Sequence, residues 1–136
     1  MNFYRYLEID DFEREEEEGR KMFKIVEQLA EKGYFQNTQQ FHRNQFSLYN
    51  NSSFVKIIRS MKKLEILTTD AHYLTLEDLA LVFQSCSKLV VLDIYIHQFE
   101  MGEVVIDQLK PGFQRLRRLN LECAIVSWAG IQEMLT

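Results

Sequence analysis

Cys86 and Cys123, the histidines at 42, 72 and 97, and 20 acidic residues are the side chains with which this chain of 136 residues could do nucleophilic or metal chemistry. A thiolate beside an imidazole would make a nucleophile and base, and His, Cys and carboxylate together would make zinc ligands. The spacing serves neither. The two cysteines stand 37 residues apart with no C-x-x-C, and His42 lies in a polar stretch with no second ligand nearby. Acid pairs such as Glu77-Asp78 are neighbours on one solvated helix turn. The serine-hydrolase elbow, phosphate-binding loop, HExxH and dinucleotide fingerprints are all missing from the sequence. The expectation is a non-enzyme with no catalytic residue, no cofactor and no metal site.

The elements that carry these residues repeat. Leu64-Glu65-Ile66-Leu67-Thr68-Thr69, Leu89-Val90-Val91-Leu92-Asp93-Ile94 and Leu116-Arg117-Arg118-Leu119-Asn120-Leu121 follow L-x-x-L-x-L, with Thr69 the one departure. The steps are 25 residues from Leu64 to Leu89 and 27 from Leu89 to Leu116, the period of a leucine-rich repeat. With the first Leu as position one, position eleven is Leu74, Phe99 and Val126, and position sixteen is Leu79, Val104 and Ile131. These are expected in the core. Thr75 and Ser127 at position twelve can cap helices. Leu79, Val82 and Phe83 then make one apolar helical face. Each unit reads strand, turn, helix. Trp128, in a first helical turn, is expected to pack on its neighbour.

The register also accounts for two histidines. His72 and His97 both fall at position nine, where the repeat consensus has Asn or Cys and where a polar side chain satisfies turn backbone. Two weaker copies lie upstream. One has Arg43, Phe46 and Leu48 at its strand positions and Asn51 at position nine. The other has Tyr4, Leu7 and Ile9, followed by an amphipathic helix around Met22, Val26 and Leu29, with residues 36–44 as an added loop. The fold class expected is α/β, a right-handed leucine-rich-repeat solenoid of four to five repeats with a parallel sheet. Residues 1–42 would be an acidic helical segment or an atypical first repeat, and residues 43–136 the repeats.

Charge and composition narrow the partners. The chain carries −4, and the stretch from Glu8 to Glu18 concentrates eight acids. A phosphate-binding surface would need local basic clustering, so nucleic acid is not expected. The run Glu15 to Glu18 suits the positive end of a helix dipole. Two cysteines and no basic-then-apolar start point to an intracellular chain, cytoplasmic or nuclear. No apolar stretch is long enough to span a membrane.

At Leu116-Arg117-Arg118-Leu119-Asn120-Leu121-Glu122-Cys123 and at Cys86-Ser87-Lys88-Leu89 the chain resembles the cysteine-containing, ribonuclease-inhibitor-like repeats of F-box/leucine-rich-repeat proteins. The resemblance covers about residues 43–136. In that family a Cys closes the helix before the next strand, as Cys86 would. Ser87 stands where a Pro is common, and Cys123 comes one residue earlier than the usual turn Cys. The resemblance implies substrate recognition within a cullin-type ubiquitin ligase. The F-box itself is absent from this sequence, so the resemblance implies a repeat fragment, or a relative that works without an F-box. A free-standing scaffold or regulator is the alternative, and a longer repeat array or complex is expected around the segment.

Strand alternation names the surface that would bind. If the Leu positions enter the core, positions three, five and seven form the concave face. Its columns are Gln45, Ile66, Val91 and Arg118, then Ser47, Thr68, Asp93 and Asn120, then Tyr49, Asp70, Tyr95 and Glu122. Tyr49, Ile66, Thr68, Asp70, Val91, Asp93, Tyr95, Arg118, Asn120 and Glu122 are the candidate protein-binding residues. The acids among them favour a partner segment with basic character.

Overall fold

The computed structural model describes residues 5–10, 16–44, 51–71, 76–96 and 103–123. Strands and helices alternate along it: β1 (Tyr6–Asp10), α1 (Glu16–Glu31), β2 (Gln40–Asn44), α2 (Asn51–Arg59), β3 (Ile66–Ala71), α3 (Leu76–Ser85), β4 (Val91–Ile96), α4 (Glu103–Arg115) and β5 (Arg118–Cys123). The five strands form one parallel sheet in the order β1-β2-β3-β4-β5. The chain is an α/β leucine-rich-repeat solenoid, with β3, β4 and β5 where the consensus leucines put them.

Register explains the core. Leu67 pairs with Leu92 and Leu92 with Leu119. Leu67, Leu92 and Ile94 are buried, while Thr68 and Asp93 between them are half-exposed. One sheet face is therefore covered and the other is open. The cover comes from the helices. Phe54, Val55, Ile57 and Ile58 of α2 and Leu79, Val82 and Phe83 of α3 are buried, whereas Lys56, Arg59 and Gln84 on the outer side are exposed. In α1, Phe23 and Ala30 are buried, with Met22, Val26 and Leu29 packed against the core. That helix opens at Glu16, inside the acidic run. It ends in a paired turn, with Tyr34 N–H donating to Leu29 O at 3.1 Å and Gly33 N–H to Ala30 O at 3.0 Å. Gly33 has φ +82°, the left-handed conformation such a terminus needs.

The upstream register departs from the sequence expectation. Phe41 of β2, not Phe46, pairs with Leu67, and Leu7 of β1 pairs with Phe41. Position one of the second repeat is thus Thr38, with steps of 34 residues from Tyr4 and 26 to Leu64. Residues 40–44 are a strand instead of part of an added loop, and the boundary drawn between residues 42 and 43 falls inside it. Asn51 opens α2 and does not hold position nine. Two features obscured the true copy: Thr38 occupies a leucine position, and Arg43 stands at position six.

A second buried column lies three residues before position one. Thr38 N–H donates to Phe35 O, Leu64 N–H to Met61 O, Leu89 N–H to Cys86 O and Leu116 N–H to Phe113 O, at 3.1 to 3.2 Å. Phe35, Met61, Cys86 and Phe113 are all buried. Each helix is turned into the next strand by the same tight bend around an apolar plug. Among the described residues no helix is long and apolar enough to cross a membrane.

The helical layer is close-packed at α3 and α4. Gly112 is buried, and a Cβ there would lie 2.2 Å from Phe83 Cγ. Phe83 and Phe113 meet edge to face at 5.2 Å. Gly112→Ala is expected to lower stability by about 1–3 kcal/mol through overpacking, read from urea midpoints. Among the described residues, Thr38 and Thr69 bury hydroxyls that have no hydrogen-bond partner. Thr38→Val should raise stability by about 1–3 kcal/mol, because it removes an unsatisfied buried group at nearly constant shape. Equal midpoints for wild type and either variant would contradict the corresponding expectation.

Candidate functional site

The open sheet face is assembled column by column from the strand register. At position three stand Tyr6, Gln40, Ile66, Val91 and Arg118. Position five holds Glu8, His42, Thr68, Asp93 and Asn120. Asp70, Tyr95 and Glu122 pair at position seven, and Asp10 pairs with Asn44 at the same place in β1 and β2. Ile66, Thr68, Asp70, Val91, Asp93, Tyr95, Arg118, Asn120 and Glu122 thus occupy three adjacent strands in register. Tyr49 lies outside the described residues, as do Gln45 and Ser47. Their expected places at positions seven, three and five are taken by Asn44, Gln40 and His42.

The chemistry of this face changes along the sheet. At one end Tyr6 is 52% exposed, and its hydroxyl donates to Glu8 Oε2 at 2.9 Å. That bond, with desolvation and the carboxylate charge adding to it, raises the phenol pKa above its ordinary value. The Tyr6 ring lies 5.0 Å from that of His42. Ile66 and Val91 give the centre an apolar, half-exposed pair. Beyond them Asn120 Nδ2 donates to Asp93 Oδ1 at 3.2 Å, and Arg118 is exposed. The arrangement offers aromatic area, an apolar centre and hydrogen-bonding groups on a hydrogen-bonded sheet, which suits recognition of a polypeptide.

Sequence reasoning missed Tyr6, Glu8, Gln40 and His42. The signal was present in Tyr4-x-x-Leu7-x-Ile9, whose register is the observed one, and in the 26-residue step back from Leu64 to Thr38. His72 and His97 lie outside the described residues, and so do Thr75, Ser127 and Trp128. Among the described residues no group of three or more His, Cys, Asp or Glu is placed to hold a metal ion.

Cys86 has a structural setting. It follows the last residue of α3, and its N–H donates to Val82 O at 2.8 Å. Its Sγ lies 3.4 Å from Ile58 O and 3.6 Å from Met61 O, tying one helix end to the preceding turn. Burial pushes the thiol pKa up to about 11, against the smaller lowering effect of Lys62, Arg115 and Arg59. A protonated, enclosed thiol is a poor nucleophile. The unfolded thiol ionises near 9.0 and the folded one near 11, so the stability linked to Cys86 is present below pH 9 and lost as pH rises toward 11. Urea midpoints of wild type should accordingly fall across that window more steeply than those of Cys86→Ala. Parallel pH profiles would remove the linkage.

No protein-family model matches the sequence, and no curated protein matches it. Among solved structures, the C-terminal domain of tropomodulin from Caenorhabditis elegans is similar to this chain, with a TM-score of 0.54 and 16% sequence identity, over 94% of this chain and 80% of that one. The likeness is one of fold, a leucine-rich-repeat-like α/β layer with a parallel sheet. It carries nothing about the narrower cysteine-containing type of F-box/leucine-rich-repeat proteins.

Proposed function

We propose that this chain is a non-catalytic protein-binding module whose open sheet face holds a partner segment that carries basic groups. The observation that supports it is a single face of five in-register strands, with Ile66 and Val91 half-exposed at its centre and Asp93 beside them. Interfaces concentrate their energy in a few such central residues ringed by polar ones. Five strands at about 4.8 Å, each of about six residues at about 3.3 Å, make a face of roughly 400 Å², about half of a typical patch of about 800 Å² per partner, so flanking turns would contribute as well. Asp70 and Glu122, in register with Tyr95, add the negative charge that selects a basic partner.

A narrower reading makes the partner a substrate brought to a cullin-type ubiquitin ligase. Its support is Cys86 at the bend from helix to strand, the place it holds in the cysteine-containing repeats. Recovery of cullin-ligase subunits together with the full-length gene product would favour this reading over a free-standing scaffold or regulator.

A photo-crosslinking residue in place of Thr68, compared with one in place of Leu81 on the helical layer, tests the sheet face directly. Crosslinking to a partner protein is expected from position 68 and not from position 81. Asp93→Lys and Tyr95→Ala should each weaken capture by about 1–3 kcal/mol, while changing folding stability by no more than about 0.5 kcal/mol. Capture insensitive to both substitutions, or crosslinks confined to position 81, would sink the assignment.

A further inference from the structure

Position two of the repeat forms a continuous backbone ladder at the rim where each helix turns into the next strand. Gln39 N–H donates to Arg5 O at 2.8 Å, Glu65 to Gln39 O at 2.8 Å, Val90 to Glu65 O at 2.9 Å and Arg117 to Val90 O at 2.7 Å. The turns along the same rim carry Lys32, Lys62, Lys63 and Lys88. With Arg5 and Arg117 this places six exposed basic side chains on one edge of a chain whose net charge is −4. Glu65 is the exposed acid on the ladder itself. The opposite edge, where strands run into helices, carries Glu16 to Glu18, Glu77, Asp78 and Glu103 at the helix starts.

Compensation of helix dipoles explains part of the basic rim, Lys32 at the end of α1 included, but not Arg5 or Arg117 on the ladder, nor the pair Lys63 and Lys88 in the turns. Arg115 donates to Ser87 O at 2.9 Å and to Phe83 O at 3.0 Å, satisfying the end of α3. Arg59 Nε donates to Ser85 Oγ at 2.8 Å, and Lys56 lies 3.8 Å from Glu27 and 3.4 Å from Glu31. Among the described residues, none of these six side chains makes a hydrogen bond or ion pair; the bonds of Arg5, Lys32, Lys62 and Arg117 are those of their backbones. Lys63 and Lys88 hold the same repeat position, one residue before position one, in successive turns of the stack, and both are exposed. An anion lying along the rim would meet both.

We propose that this rim binds a short acidic peptide segment of another protein, extended along the ladder. A stretch of about six extended residues matches the four strand steps of about 4.8 Å between Arg5 and Arg117. Tyr34, 49% exposed in the turn after α1, adds an aromatic contact at the same edge. Screening limits the field to about 8 Å at physiological salt, so a short peptide meets the rim alone. A nucleic acid or an anionic membrane extends past it and meets the acidic remainder of the chain. The rim is separate from the sheet face, and its partner has the opposite charge.

Fluorescence anisotropy of fluorescein-labelled deca-glutamate with the full chain, at about 50 mM salt, tests the proposal. Saturable binding is expected, weakened about tenfold or more by Lys63→Glu with Lys88→Glu, and less by the corresponding Gln pair. Asp93→Lys, on the sheet face, should leave it within about twofold, which separates this site from the one proposed above. The proposal is overturned if either natively folded Lys63/Lys88 double variant binds as wild type does. It is also overturned if duplex DNA or phosphatidylserine vesicles compete better than unlabelled deca-glutamate. Salt-sensitive self-association that displaces the peptide would likewise overturn it, assigning the rim to a second copy.

Discussion

The whole domain depends on each repeat having a neighbour to receive its backbone hydrogen bonds. A strand of five or six residues cannot satisfy its N–H and C=O groups alone, and a helix of nine or ten residues is marginal by itself. Stacking solves both problems together. The ladder from Arg5 to Arg117 joins the strand entries, and the buried column of Phe35, Met61, Cys86 and Phe113 fills the bend between each helix and the next strand. Cys86 shows the coupling in one residue, since its thiol reaches Ile58 O and Met61 O of the repeat before it. A small side chain with a weak donor fits there. Its three counterparts fill the same space with larger apolar groups.

How much of this could be read from the sequence follows from which positions carry leucine. In β3, β4 and β5 the leucines at positions one and four set the register, and the strands begin where that register places them. In β2 Thr38 replaces the leucine, and the alternation of Phe46 and Leu48 offered a more apolar but false frame. A buried Thr is indistinguishable in sequence from an exposed one; only the parallel pairing of Phe41 with Leu67 resolves it. The plug column was equally hidden, because Phe, Met and Cys share burial and no chemical signature. The sheet columns from Ile66 to Glu122 were legible because alternation is a rule of backbone geometry. Those contributed by Tyr6, Glu8, Gln40 and His42 were not, since they depend on the shifted frame.

The same geometry sorts charge. Helix starts gather at one edge of the solenoid and helix ends at the other, so Glu77 and Asp78 at the start of α3 and Arg59 and Arg115 at the ends of α2 and α4 fall on opposite rims, each suited to its own dipole. Between them the sheet presents Ile66 and Val91, paired in register on adjacent strands. Recognition surfaces on a repeat array are therefore adjustable one residue at a time. A substitution at position three or five alters the face and leaves the core positions on either side untouched.

Close backbone approaches between described elements join only neighbours: each strand with the next, and each helix with the next. The range of chain that any such contact must close is about one repeat, so ordering starts with a modest loop-entropy cost and has no fixed point of origin. An interface such as that between α2 and α3 can form first and grow in either direction, in the manner of a one-dimensional lattice. A lesion within one repeat then interrupts that spread locally. The segments on either side become separate cooperative units, and the protein's melting curve would report the break as two transitions where there had been one.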